Sequence, residues 1–226
     1  MPIELLIPIL AVVALLLFSV FGADAVERAR RRRYEQAAAD LRFMFHDKDQ
    51  AILPAGASRF HLMRLGQIRV AERIMRGEAN GIGVTLFEIT NTSGVAIFTK
   101  VRTQTVAAFD SPALSLPWFF LRPSAVFGQL PPPPGLEDLD LSQHPQVAAA
   151  HALACEPGQE AAALRLFDPE MLAYLKESPG VCLEGWGDLL LVYYPERAVA
   201  LAEYPGFLEE AFRLFALMKR KAVSKF

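Results

Sequence analysis

The sequence is poor in the side chains that most often carry chemistry. Among 226 residues there are only two cysteines and four histidines. Two cysteines are too few for a disulfide framework. Cys155 ends one apolar run and Cys182 lies within another, so we expect both to be buried, reduced thiols. A disulfide between them would require the folded part of the chain to lie outside the cytoplasm.

The histidines offer no metal site at a recognisable spacing. None stands at the short distance in sequence from another histidine or an acid that zinc sites use. His151 and Cys155 are four residues apart, and they share a face only if that stretch is helical. We therefore predict neither a metal nor another cofactor. The four histidines are His46, His61, His144 and His151.

Catalytic motifs are missing as well. Gly81 and Gly83 lack the third glycine and the following helix of a dinucleotide fingerprint. Ser111 and Ser115 have no G-x-S-x-G frame, and Cys182 has no neighbouring histidine. The sequence therefore predicts no catalytic residue.

Positive charge is absent before residue 28 and is then concentrated in one block. The chain has 23 basic and 25 acidic residues, a net charge of −2. Beyond residue 33 the balance is 18 basic to 22 acidic side chains. This composition gives no overall basic excess for neutralising phosphates, so nucleic acid is not a predicted partner. The block consists of Arg28, Arg30, Arg31, Arg32 and Arg33.

One long apolar run is present, from Leu5 to Ala23, without a charged residue. At about 1.5 Å per residue a helix of this length nearly spans a hydrocarbon core of about 30 Å. The run predicts a transmembrane helix within residues 1–23, where small residues permit close packing against other membrane helices. The alternative is a cleaved signal peptide, although the segment before the run has no Lys or Arg. The small residues are Ala11, Ala14 and Ser19.

The arginine block sets the predicted orientation. Basic residues flank the cytoplasmic end of membrane helices, so the N-terminus is predicted outside and the folded domain in the cytoplasm, at a bacterial inner membrane. The block would also attract anionic lipid headgroups, by about 1 kcal/mol per basic residue near the surface. Setting the topology is its simpler role, and the lipid bilayer is in either case a predicted partner.

The remaining sequence predicts an α+β fold. Asn80-Gly81 between the arms RVAERIMRGEA (69–79) and IGVTLFEIT (82–90) is typical of a two-residue hairpin turn, and residues 58–122 as a whole predict an antiparallel β-meander. LPWFFLRP (116–123) has proline near both ends, which favours a short or edge strand. The predicted organisation is a transmembrane helix (1–23), a basic juxtamembrane helix or stalk (24–41), an antiparallel β subdomain (42–130), a Pro-rich linker (131–143) and an α+β subdomain ending in an amphipathic helix (144–226).

The last third of the chain carries the clearest helix signals. Asp168-Pro169 is a strong helix start, residues 181–194 predict a hairpin with its turn at 185–188, and Pro205 opens a long amphipathic helix. Residues 146–155 fit either a strand or an Ala-rich helix.

Charged residues alternate around the first arm of the hairpin and suggest two interpretations. They form either a solvated strand face or a salt-bridged surface for a partner protein. Trp118 is either a core residue or, if it faces outward, a contact for lipid or a partner helix. The basic members of the candidate partner surface are Arg64, Arg69, Arg73 and Arg76.

Several segments carry a family resemblance. MRGEANGIGVTLFEI (75–89), TQTVAAF (103–109) and LPWFFLRP (116–123) resemble a group of bacterial single-pass membrane-anchored proteins of unknown function. In that group an R-G-E-x-x-G hairpin, a Q-T-V strand and an L-P-x-F-x-L-R-P segment recur. These motifs are structural, so the resemblance implies a membrane-anchored domain and no reaction.

Taken together, these features favour a non-catalytic accessory or assembly subunit that docks on other membrane protein subunits, for example in a large respiratory or photosynthetic complex. One alternative is a membrane-tethered sensor of a small ligand or lipid, with an apolar pocket between the sheet and the last helix. A second alternative is a hydrolase or transferase without a recognisable motif.

The orientation can be tested with reporters fused after Phe226. A reporter active only in the cytoplasm should be active there, because the arginine block holds the following domain on the inner side. Activity of a reporter that works only in the periplasm would show that the predicted orientation is wrong.

Overall fold

The structure is a computed structural model that describes residues 24–79, 81–94, 99–127 and 131–223. The predicted transmembrane helix (1–23), with Ala11, Ala14 and Ser19, lies outside the described residues. Within the described ranges, none of the helices combines the length and the apolar character needed to cross a bilayer.

The described chain forms a nine-stranded sheet with helices around it. The strands are β1 (Met44–His46), β2 (Ile68–Ala79), β3 (Ile82–Ser93), β4 (Lys100–Asp110), β5 (Leu116–Pro123), β6 (Glu137–Asp138), β7 (His151–Cys155), β8 (Cys182–Gly187) and β9 (Leu189–Tyr193). The helices are α1 (24–40), α2 (Ser124–Phe127), α3 (Pro145–Ala150), α4 (Glu160–Leu166), α5 (Pro169–Glu177) and α6 (Tyr204–Val223). The prediction of an α+β fold with a large antiparallel sheet and a C-terminal helix is confirmed.

Strand order joins the two predicted subdomains in a single sheet. The order is β1-β2-β3-β4-β9-β8-β5-β7-β6, and every pairing is antiparallel. β2, β3 and β4 form the predicted meander, but its extension to residue 122 is wrong because β4 pairs with β9 instead of β5. The Pro-rich linker therefore interrupts the sequence without dividing the sheet.

β5 is an interior strand, which corrects the prediction of a short or edge strand. It pairs with β8 on one side and β7 on the other. Proline lacks a ladder donor, but the register shifts between Leu116 and Phe119, and Pro123 is the final residue of the strand. The register shift therefore lets an interior strand contain Pro117.

The long hairpin of β2 and β3 matches its sequence signal. Gly81 has φ of 73°, as its turn requires, and Asn80 lies outside the described residues. A β-bulge shifts the register between Glu72 and Met75. Arg73 sits in the bulge with φ of 55°, which turns its side chain toward the face that carries α6.

The predicted helices of the last third are present. Asp168 caps α5 by accepting a hydrogen bond from the Met171 amide at 3.0 Å. The hairpin of β8 and β9 turns at Asp188. The ambiguous stretch 146–155 is split between a helix and a strand, since α3 ends where β7 begins. Both cysteines are buried, as the sequence predicted, and neither is in a disulfide.

The two faces of the sheet bury different clusters. α6 covers one face, where Phe109 of β4 stacks on Phe215 at 5.0 Å and meets Phe212 edge-on at 5.0 Å between ring centroids. The opposite face is covered by the irregular segment 50–67, and its cluster includes Phe60, Phe87 and Phe120. The sheet is thus the middle layer between a helical face and a loop-covered face.

Replacing Phe109 with alanine should strongly destabilise the domain. The side chain is fully buried against two rings of α6, and loss of a buried Phe costs about 3–5 kcal/mol. Urea unfolding followed by tryptophan fluorescence measures the change in free energy of unfolding. Val26→Ala on the exposed side of α1 is the control, with a change within about 0.5 kcal/mol. Equal effects of the two substitutions would contradict the packing described here.

Candidate functional site

A cleft of about 290 Å³ lies on the face of the sheet opposite α6. Segment 61–66 forms one wall and the ends of β3 and β4 form the floor. β5, α2 and the prolines at 131, 133 and 195 complete it. The volume is close to the lower end of the usual range for ligand pockets, about 300–1,000 Å³. The sensor hypothesis predicted a pocket of this kind beneath the last helix, but this cleft lies on the other side of the sheet.

The register of the sheet creates the cleft. β4 pairs with β3 along its whole length, down to Lys100 opposite Ser93, but pairs with β9 only from Val106 onward. Beyond that point the chain leaves β9 and runs beside β4 without a regular ladder. The Glu196 amide donates to Gln104 Oε1 at 3.0 Å, so it bonds to a side chain of β4 instead of the β4 backbone. This arrangement leaves space above the ends of β3 and β4.

Aromatic and aliphatic side chains make most of the lining. The ring of Phe120 meets Phe127 edge-on at 5.7 Å and the imidazole of His61 at 5.2 Å. Leu65 and Val126 extend this surface. Val126 is 48% exposed, so it lies where the cleft meets solvent.

The charged groups at the cleft are held in ion pairs. Arg122 is 3% exposed, and its Nη2 lies 2.8 Å from Asp138 Oδ1. Nε of Arg102 lies 2.6 Å from Glu196 Oε1. Lys100 Nζ also lies 3.2 Å from Glu196 Oε1. Both guanidinium groups at the cleft therefore face a carboxylate, and Glu196 is shared by two cations.

Two further polar side chains face the cleft. Burial lowers the pKa of His61, and the positive charges of Arg122 and Arg64 lower it further, so its imidazole is neutral at pH 7. Asn91 is 5% exposed, and its Nδ2 donates to the Leu62 carbonyl at 3.2 Å. Its Oδ1 is buried and accepts no hydrogen bond from the described residues, a situation that costs about 1–3 kcal/mol.

Glu184 of β8 fixes the segment that forms the cleft wall. Its carboxylate accepts the amides of His61 and Leu62 at 2.5 and 3.0 Å and the hydroxyl of Tyr193 at 2.7 Å. Burial raises the pKa of Glu184 to about 7, while the hydrogen bonds from Tyr193, Leu62 and His61 act in the opposite direction. The position of His61 thus depends on a buried acid.

A second buried acid, Glu88 of β3, lies on the α6 face. It pairs with Arg73 of the bulge and accepts hydrogen bonds from Tyr34 of α1 at 2.8 Å and Tyr204 of α6 at 3.1 Å. We call these four residues the Glu88 cluster. It attaches the predicted stalk helix directly to the sheet and to the C-terminal helix.

The arginines of the predicted juxtamembrane block all lie on α1 and are exposed. Arg30 pairs with Glu27 and Arg31 with Glu35, each at 2.8 Å. Surface pairs one turn apart contribute little to stability. The side chains therefore remain accessible to lipid headgroups.

The residues of the candidate partner surface are not gathered in one place. Arg64 and Arg69 are exposed on the loop-covered side. Arg73 belongs to the Glu88 cluster, and Arg76 donates to the Ile52 carbonyl at 2.7 Å. Trp118 is half-buried and packs against the cluster that includes Phe60, Phe87 and Phe120.

Sequence reasoning missed the residues that shape the cleft. Arg122 and Glu184 are each buried in a strand whose neighbours are largely apolar. A lone polar residue within an apolar strand is the signal that could have identified them, because buried polar groups require partners. Asn91 lies among Thr90, Thr92 and Ser93 and carries no such signal. Within the described residues, His, Cys, Asp and Glu side chains form no group of three that could hold a metal ion.

Comparison with known proteins shows the fold. No family model matches the sequence, and no curated protein matches it either. A similar solved structure is that of the mycobacterial trehalose monomycolate transport factor A, with a TM-score of 0.58. The similarity covers 84% of this chain and 93% of that chain at 15% sequence identity.

Replacing Glu184 with glutamine should flatten the pH dependence of stability. Between the ordinary pKa of 4.5 and about 7, the folded protein holds a proton that the unfolded chain releases. The contribution of Glu184 to the free energy of unfolding is therefore largest below pH 4.5 and falls as pH rises to about 7, by on the order of 3 kcal/mol.

Urea unfolding of the wild type and Glu184→Gln across this pH range measures the difference. Glu209→Gln, on the exposed side of α6, serves as the control and should keep the wild-type slope. If Glu184→Gln also keeps that slope, Glu184 does not titrate in this range.

Proposed function

We propose that this protein is a membrane-tethered, non-catalytic accessory factor that assists the transport of a cell-envelope lipid at a bacterial inner membrane. The similarity to the transport factor carries this proposal, because it extends over 93% of that chain. The resemblance to membrane-anchored proteins and the apolar run before the arginine block support the same assignment. In this proposal the domain is cytoplasmic, and the N-terminus is outside.

The attachment of α1 to the domain supports an accessory role. A flexible tether would only raise the local concentration of the domain at the membrane. Here Tyr34 and Ala38 of α1 pack on the domain, and Tyr34 is bonded to Glu88. The helix that carries the arginine block therefore holds the domain in one orientation, as docking on a membrane protein requires.

The proposed partners are the lipid bilayer and the subunits of a lipid-transport machinery. Respiratory or photosynthetic complexes are the alternative partners predicted from sequence, and the neighbour's name favours lipid transport over them. We assign no catalytic role, because the polar groups at the cleft are ion-paired or hold the wall in place.

Mild-detergent purification of the tagged full-length protein tests the docking role. A membrane transporter should co-migrate with it and be absent when an unrelated single-pass protein with the same tag is purified. Deletion of the gene should then leave newly made envelope lipid on the inner side, as measured by radiolabelling. The accessory role is wrong if the protein runs alone and lipid export is unchanged.

A further inference from the structure

We propose that the cleft opposite α6 binds a single-chain amphiphile with an uncharged, hydroxyl-bearing head. The acyl chain would lie against Phe120 and Phe127, and the head would donate a hydrogen bond to Asn91. This inference goes beyond the accessory role and does not depend on it.

The apolar lining of the cleft indicates a ligand with an aliphatic chain. Most of the cleft surface is apolar, and Leu65, Phe120, Val126 and Phe127 contribute to it, with Phe120 and Phe127 in edge-on contact. Val126 is half-exposed at the edge of the cleft. An aliphatic chain entering past Val126 leaves water for an apolar site, which is the main source of affinity in such pockets.

Asn91 determines the hydrogen-bond character of the head. Its Nδ2 donates to the Leu62 carbonyl, which fixes the amide with Oδ1 as a buried acceptor that receives no hydrogen bond from the described residues. A ligand hydroxyl donates to such an acceptor, whereas an ester or carboxylate oxygen does not. Ser93 lies beside Asn91 in the cleft and offers a second hydroxyl partner.

The ion pairs determine the charge of the head. Arg122 is held by Asp138, and Glu196 holds both Arg102 and Lys100. An anionic head would compete with these carboxylates, and a cationic head would be repelled by the guanidinium groups. An uncharged polyol head, such as glycerol or a sugar, leaves these ion pairs in place.

Photo-crosslinking of the full-length protein in lipid nanodiscs tests the proposal. The probes are a monoacylglycerol, the methyl ester and the free fatty acid, all with the same diazirine-bearing chain. Mass spectrometry should locate the monoacylglycerol label on α2 or residues 61–66, and excess unlabelled monoacylglycerol should remove it. Labelling by the other two probes should be weaker by about tenfold, the effect of one hydrogen bond.

Two variants and one control sharpen the test. Val126→Trp should reduce cleft labelling at least about tenfold by obstructing the entrance. Leu164→Trp makes a similar enlargement at an exposed apolar site on α4, against the other face, and should leave labelling unchanged. Asn91→Leu should abolish the preference for monoacylglycerol over methyl ester, a ratio that is independent of the folded fraction.

Several outcomes overturn the proposal. They are labelling confined to bulk lipid or the N-terminal segment, undiminished labelling of Val126→Trp, and fatty acid labelling as strong as that of the monoacylglycerol. None of them affects co-purification with a transporter, so failure of this inference is distinguishable from failure of the accessory role.

Discussion

A carboxylate buried in a sheet must be hydrogen-bonded, and this requirement organises the molecule around Glu88 and Glu184. Glu88 has its partners on α1, the β2 bulge and α6, while Glu184 has its partners on segment 61–62 and β9. The bulge is the local adjustment that brings Arg73 to Glu88. Each acid therefore fixes the segments that cover its own face of the sheet.

The two faces differ in how completely they are filled. On the α6 side, Phe109 packs ring against ring with Phe212 and Phe215. On the other side the covering segment is a series of short turns, which cannot fill the space evenly as a helix does. The gap that remains lies where β4 extends beyond the end of β9. The cleft therefore exists because β4 is longer than the strand beside it.

Local signals in the sequence predicted local structure well. The hairpins, the capped start of α5 and the last helix depend on residues a few positions apart, and the structure contains all of them. Pairing of β4 with β9 joins residues 79 to 87 positions apart, which no periodicity encodes. The interior position of β5 was missed for the same reason, and with it the cleft that Phe120 and Arg122 line.

The chain after β9 connects the cleft to the Glu88 cluster. Glu196 pairs with Arg102 at the cleft, and Tyr204 reaches Glu88 eight residues later. Thr105 holds the intervening stretch: its amide donates to the Arg197 carbonyl, and its hydroxyl accepts from the Val199 amide at 2.8 Å. These hydrogen bonds hold the stretch between Glu196 and Tyr204 in place, because bending it would break bonds to buried groups. Because Glu196 faces the cleft and Tyr204 contacts Glu88, this stretch is a direct physical connection between the two faces of the sheet.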